Sequence, residues 1–336
     1  MKTATALPLI ALLFLGCTPT PPPEAQSPAP TAPTTPAQPK PKVVATTSVL
    51  CEMTEAIAQD TVALQCLMDA GEDPHGYQAT PQDAKAIAEA QLVLYNGHGY
   101  ETSILKLIQN SSSPATKVAV AEVAVPKPLM MDGHDHGHGH DHSPNGADSD
   151  KPIADPHVWQ NAAHGRTMAQ VVRDRLITIL PDQKEQLTTR AQAYTTRLDN
   201  LDRWIRAQTA TIPPQNRRLV TTHEAFGYFA AAYGLEVKGA LMGVDGETQA
   251  SPARLQELVS DIRAAGVPTI FAEATGDRKL IAAIARDAKV TLSSDPLFPE
   301  GAGAKGSGAE TYLDSLRVNT TTIVTGLGGK PQPFTE

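Results

Sequence analysis

The stretch PDQKEQLTTRAQAYTTRLDNLDRWIRAQT, residues 181–209, carries apolar residues at Leu187, Ala191, Tyr194, Leu198, Leu201 and Ile205. Spacings of three and four residues put these side chains on one face of a helix. The helix opens at Pro181-Asp182 and approaches 30 residues, long for a globular protein, so it reads as a spine joining two lobes. On its N-terminal side, strand-like runs (42–50, 61–68, 92–95, 117–123) alternate with helical ones (52–60, 80–90, 101–109). Thr80-Pro81-Gln82-Asp83 is a helix start, with Thr as cap, Pro at the first helical position and Asp in the first turn. A further helix spans 161–180. On the C-terminal side the alternation repeats, with strands at 218–222, 236–241, 269–273 and 289–292 and helices at 225–233, 251–265, 277–288 and 311–327. Such alternation predicts an α/β fold of two lobes, each with a mainly parallel sheet flanked by helices and a cleft between them. The lobes fall at 42–180 and 212–336, joined by 181–211.

Composition narrows the class. The chain has 336 residues and a formal charge of −8 with no basic block, which argues against nucleic acid. Residues 1–17 read as a secretory signal, too short to span a bilayer permanently, and end in Leu13-Phe14-Leu15-Gly16-Cys17. That ending resembles a bacterial lipoprotein signal in which Cys17 is acylated; the alternative is ordinary cleavage with Cys17 incidental. Residues 18–41, rich in Pro, Thr, Ala and Ser, form an extended tether. In an exported chain the remaining pair, Cys51 and Cys66, suggests a disulfide, two buried thiols being the alternative.

Chemistry concentrates on histidine. Asp-Pro-His occurs at Asp73-Pro74-His75 and again at Asp155-Pro156-His157; His223 stands in Thr221-Thr222-His223-Glu224, and a third Asp-Pro pair is Asp295-Pro296. In an open parallel sheet, ligands bind beyond the carboxyl ends of strands, where these residues fall. We read His75, His157, His223 and Asp295 as converging on one metal ion, zinc by its donor set of three imidazoles and a carboxylate. The aspartate of each Asp-Pro-His can serve the histidine's ring or backbone as hydrogen-bond acceptor. Glu273 is a supporting carboxylate or an alternative ligand. Within the predicted loop 127–152, His134, His136, His138, His140 and His142 offer weak auxiliary zinc sites, the alternative being a passive linker. His98 reads as a loop residue, His164 as an exposed helix residue, Glu224 as solvated or supporting, and Trp159 and Phe226 as lining and core.

Between Lys42 and Gly329 the chain resembles the zinc/manganese solute-binding proteins of bacterial ABC uptake systems. The resemblance rests on Asp73-Pro-His-Gly-Tyr-Gln-Ala-Thr-Pro-Gln-Asp83, Asn96-Gly97 with Glu101, Asp155-Pro-His-Val-Trp159, Thr222-His-Glu-Ala-Phe-Gly-Tyr-Phe229, Phe271-Ala-Glu273, Asp295-Pro-Leu297, and Tyr312 with Asn319. It implies two α/β lobes on one long rigid helix, the metal between them, and ligands at His75, His157, His223 and Asp295. Histidine at the third position and the acidic, histidine-rich loop are typical of zinc members; manganese or iron(II) is the alternative cargo. Where members often carry Asp-Ser-Leu-Gly, this chain has Phe298-Pro-Glu-Gly-Ala-Gly303. The resemblance also implies a permease and a cytoplasmic ATPase as partners, and a monomer held on the outer side of the membrane through Cys17. This chain has no G-x-x-x-x-G-K-S/T phosphate loop and so is not that ATPase. A secreted zinc hydrolase is the rival class, disfavoured by a fourth protein ligand and the lack of His-Glu-x-x-His.

Overall fold

In order along the chain the elements are β1 Lys42–Ala45, α1 Ser48–Ala58, β2 Ala63–Cys66, α2 Pro81–Glu89, β3 Leu92–Tyr95, α3 Thr102–Asn110, β4 Thr116–Ala119, α4 Val120–Ala124, β5 Met130–Met131, β6 Ile153–Ala154, α5 Ala162–Ile179, α6 Lys184–Thr209, β7 Arg218–His223, α7 Gly227–Tyr233, β8 Glu236–Met242, α8 Pro252–Ala265, β9 Thr269–Ile270, α9 Arg278–Ala288, β10 Thr291–Leu292 and α10 Tyr312–Gly326. They come from a computed structural model that describes residues 39–131, 152–243 and 251–335. Cys17, most of the tether and the five clustered histidines lie outside the described residues.

The first sheet has the order β2-β1-β3-β4 and is parallel throughout. In the second half β7 pairs with β8 and β9 with β10, both parallel, and Phe271 N donates to Val220 O at 3.0 Å, bringing the two pairs side by side. The central strands β1 and β3 are apolar on both faces, as parallel strands covered on both sides must be. Val43, Leu92, Leu94, Leu219 and Phe271 share one core with residues of α1, α5, α6, α7 and α10. Their neighbours turn the other way. Val44 and Val93 pack with Ile87, Ile104 and Ile108, and Val220 and Ile270 pack with Leu258, Ile262, Ile281 and Ile284. One apolar core thus runs from the first sheet through these helices to the strands of the second half.

The long helix starts one turn later than the sequence suggests. Pro181–Gln183 forms a 3-10 turn and α6 then runs 26 residues, roughly 39 Å at 1.5 Å per residue. Its predicted apolar stripe, Leu187 to Ile205, is buried. Five predicted strands (42–50, 61–68, 117–123, 269–273 and 289–292) are longer than those observed, and two of them show why. After Ala45 the Thr47 side chain accepts from Leu50 N and caps α1, so 46–50 leave the sheet despite their β-branched content. Beyond Ala119 the neighbouring β3 has ended at Tyr95, so the backbone satisfies itself helically, with Val125 N bonded to Ala121 O at 2.8 Å. Thr80 and Asp83 form the reciprocal capping pair that opens α2.

Cys51 in the first turn of α1 and Cys66 at the end of β2 form a disulfide, with Cα atoms 5.7 Å apart. Register places Cys66 opposite Ala45, whose chain turns directly into α1.

Candidate metal centre

Every chemically distinctive side chain sits beyond the carboxyl end of a strand, where the parallel sheets leave loops free to converge. His223 is the last residue of β7. His75 lies on the loop after β2, and His157 follows β6 at the mouth of the first lobe. Their Nε2 atoms meet: His157 to His75 is 3.2 Å and His157 to His223 is 3.5 Å. The fourth member of the group is Glu300, whose Oε1 lies 3.4 Å from His223 Nε2. One ligand atom from each of the four fits within 4.8 Å of all the others. Two nitrogens bound tetrahedrally to zinc are about 3.3 Å apart, so the separations match a shared ion.

Asp295 is not in this group. It is exposed, and its carboxylate accepts from Ser294 Oγ at 3.2 Å. The reason is where the chain next becomes anchored. Leu297 completes the sheet edge, donating to Ala272 O at 2.9 Å and accepting from Ala274 N at 2.8 Å. Asn319 brackets Phe298, accepting from its N–H at 2.7 Å and donating to its carbonyl at 2.9 Å. Trp159 Nε1 and Gln160 Nε2 both donate to Pro299 O, at 2.9 and 2.7 Å. Gly301 then takes φ +102°, where a Cβ would lie 2.3 Å from Val49 Cγ2. These anchors aim Glu300 inward, five residues past Asp295. Glu300 lies inside Phe298-Pro-Glu-Gly-Ala-Gly303, the stretch that departs from the family pattern.

Carboxylates behind the rings orient them. Asp155 Oδ1 accepts from both the backbone N–H and Nδ1 of His157, each at 2.9 Å. Glu273 Oε2 accepts from His223 Nδ1 at 2.6 Å, and its Oε1 faces His223 N at 3.3 Å. With Nδ1 donating outward, Nε2 of both rings faces the common centre. Tyr100 donates its hydroxyl to Glu300 Oε2, which leaves Oε1 facing the histidines. Of the predicted roles for Glu273, the supporting one matches this geometry. Asp73 bonds only the backbone N–H of His75, at 2.9 Å, among its hydrogen bonds described.

The site is almost closed to water. His157, His223 and Glu300 are 0%, 3% and 5% exposed, while His75 is half-buried. Burial pushes Asp155 up to about 7 against the pull of its N–H bond and the His223 charge. Burial, with His223 beside it, drives His157 well below the ordinary imidazole value. His223 goes the other way: burial opposes its charge, but Glu273, Glu300 and Asp73 outweigh burial and lift it to about 9. Burial lifts Glu300 to about 7, opposed by His223. At neutral pH a proton on His223 Nε2 therefore faces Glu300, and a metal ion would compete for that position.

The other residues singled out lie around this centre. Trp159 and Phe226 are buried. His98 is half-buried, its N–H bonded to Glu122 Oε1 at 2.9 Å, and Glu224 is half-buried. His164 is not on an exposed face: it is half-buried, its ring centroid 5.3 Å from that of Tyr228.

A buried cage of three imidazoles and a carboxylate, drawn from both lobes, is a means of holding a cation. Residues 43–326 match the family described as "Zinc-uptake complex component A periplasmic". The chain belongs to this family. It is a metal-binding component of an ABC metal-uptake system. It is 34% identical over 294 residues to the zinc-binding protein TroA of Treponema pallidum, covering 86% of this chain and 89% of that one. It is 29% identical over 286 residues to the manganese-binding lipoprotein MntA of Halalkalibacterium halodurans, covering 85% and 88%. Among solved structures, the periplasmic zinc-binding protein TroA from T. pallidum superposes with a TM-score of 0.76 at 33% identity, covering 86% of this chain and 99% of that chain.

Proposed function

We propose that this protein captures zinc outside the cytoplasm and delivers it to a cognate permease driven by a cytoplasmic ATPase. The ligands in this reading are His75, His157, His223 and Glu300. The observation that carries it is the donor set: three imidazole nitrogens and one carboxylate oxygen within 4.8 Å of one another, with Asp155 and Glu273 orienting two of the rings. Nitrogen-rich, four-coordinate sites suit zinc, whereas manganese favours more oxygen donors. The Tyr100 hydroxyl on Glu300 Oε2 supports binding through one oxygen and so the same preference. Four protein donors leave no open position for a catalytic water, which favours a carrier over a hydrolase. Acylation of Cys17, the tether over residues 18–41, lobes at 42–180 and 212–336, and action as a monomer belong to the same reading. So does auxiliary zinc binding by His134, His136, His138, His140 and His142. The manganese-binding relative keeps manganese as the competing cargo.

Equilibrium dialysis with elemental analysis tests the reading. One tight zinc per chain is expected, unmoved by a large excess of manganese. Glu300→Ala should weaken zinc roughly a hundredfold or more, since structural zinc draws about 10–16 kcal/mol from some four ligands. Asp295→Ala should leave it unchanged. The reverse order would return the fourth position to Asp295.

A further inference from the structure

The two oxygens of Glu300 are not equivalent. Oε1 lies 3.4 Å from His223 Nε2 and has no hydrogen-bond partner among the described residues. Oε2 accepts the hydroxyl of Tyr100, a side chain only 1% exposed, and that hydroxyl bonds no other group among the described residues. The Tyr100 ring is wedged in place: its centroid lies 4.8 Å from that of His75, edge-on at 90°, and 4.8 Å from that of Trp159. The loop that presents it is fixed as well. Gly97, His98 and Gly99 take φ values of +94°, +54° and +77° in succession, a bend that glycine on either side of His98 makes accessible. Tyr100 N closes that bend on Gly97 O at 3.2 Å. The next residue, Glu101, is fully buried and accepts from Asn96 N at 2.6 Å and Thr46 Oγ1 at 2.8 Å. A phenol seated in this way cannot follow its acceptor if the acceptor turns.

Resting on the reading of the cage as a metal centre, we propose that Tyr100 is a metal-selecting residue, which holds Glu300 to a single coordinating oxygen. With Oε2 on the hydroxyl, Oε1 alone completes a set of three nitrogens and one oxygen, and such a set suits a four-coordinate zinc ion. Binding through both oxygens requires the carboxylate to turn Oε2 toward the ion. The Tyr100 hydroxyl would then lose its acceptor in a place closed to water, and a buried donor left without a partner is costly. That cost falls on manganese, which favours oxygen donors and more of them, and not on zinc, which needs no fifth ligand. Tyr100 is a positioning residue in this scheme: it touches the carboxylate and acts on the ion only through it.

Tyr100→Phe tests this, since it deletes the hydroxyl and keeps the ring between His75 and Trp159. In competition titrations of the full chain, zinc affinity should stay within about threefold of wild type while manganese affinity rises roughly tenfold or more. Cobalt(II) in place of zinc reports the coordination number: the intense visible bands of a four-coordinate site should weaken in Tyr100→Phe toward those of a five-coordinate one. Tyr194→Phe is the control. It also deletes a buried hydroxyl bonded to a carboxylate, Glu52 Oε1 at 3.0 Å, but Tyr194 stands on α6 and Glu52 on α1, neither of them in the cage. It should move neither readout. An unchanged ratio of zinc to manganese affinity in Tyr100→Phe would overturn the proposal, as would an unchanged cobalt spectrum or an equal shift in Tyr194→Phe. A wild-type protein that binds neither metal would instead sink the functional reading, before any variant is compared.

Discussion

The two Asp-Pro-His copies share a local geometry and differ in everything around it. In each, the aspartate Oδ1 accepts the histidine backbone N–H at 2.9 Å. Proline restricts the preceding aspartate to extended conformations, which makes this short turn reproducible. Asp155 then also takes the Nδ1 hydrogen of His157, and both residues are fully buried. Its carbonyl accepts from Tyr228 OH at 3.3 Å, and Asn96 Nδ2 donates to Pro156 O at 3.1 Å, so the second copy is held from two further elements. Asp73 and His75 are half-buried, on a loop that meets the other half of the molecule at Gly71. The same tripeptide is thus a fixed anchor in one place and an outer wall in the other. A binding protein has use for both, because an ion must be held and also released.

The largest expected contrast is in the ligands themselves. His157→Ala should weaken zinc roughly a thousandfold, because a buried cage cannot readily replace a nitrogen by water; His75→Ala should cost about a tenth of that, since water reaches its position. Competition titration against a chelator of known affinity measures both, and equal losses would erase the anchor–wall distinction.

Proton competition should also separate the parts of the cage. His223 must lose the proton it holds up to about 9, and Glu300 one it holds up to about 7, before an ion binds. A raised pKa means tighter proton binding, so zinc affinity should rise with pH. It should rise about tenfold per unit between 7 and 9, more steeply below 7, and level off above 9. His157, held neutral, should add nothing to that slope. An affinity that levels off near pH 6.5, the ordinary imidazole value, would contradict the carboxylate-coupled state of His223.

Next come the supporting aspartates. Asp155→Asn should cost about 10–100-fold in zinc affinity, as loss of a hydrogen bond behind a ligand ring generally does. Asp73→Asn keeps an acceptor for the His75 N–H and should cost a few-fold at most. The same titration checks this, and a larger loss at Asp73 would give it a direct part in the cage.

Smallest in affinity is the Cys51→Ala/Cys66→Ala pair. The bridge ties α1 to the end of β2, from which the His75 loop departs, and closes a 15-residue separation. Its loss should lower unfolding free energy by about 3 kcal/mol in denaturant titrations. Zinc affinity should fall only a few-fold, through the outer copy alone. An intact affinity with an intact midpoint would remove the bridge from the account of the first loop.

Much of this protein is determined locally, and that part was readable. The apolar stripe Leu187 to Ile205 dictates the long helix because its 3.6-residue period has no other way to be buried. Thr80-Pro81-Gln82-Asp83 dictates its own cap. The Asp-Pro-His turns mark two of the cage's histidines, and His223 stands out by its place at a strand end. Only the tertiary structure decided which carboxylate lies beside the three histidines. Asp295 and Glu300 are five residues apart in one irregular segment, and no periodicity separates them. What separates them is distant: Asn319 on α10, Trp159 and Gln160 ahead of α5, and Val49 on α1 anchor the chain on both sides of Glu300, while Asp295 turns to solvent. The same holds for the charge of the cage. His157 and His223 are alike as residues, yet burial pushes the first well below the ordinary imidazole value, while Glu273, Glu300 and Asp73, arriving from other parts of the chain, lift the second.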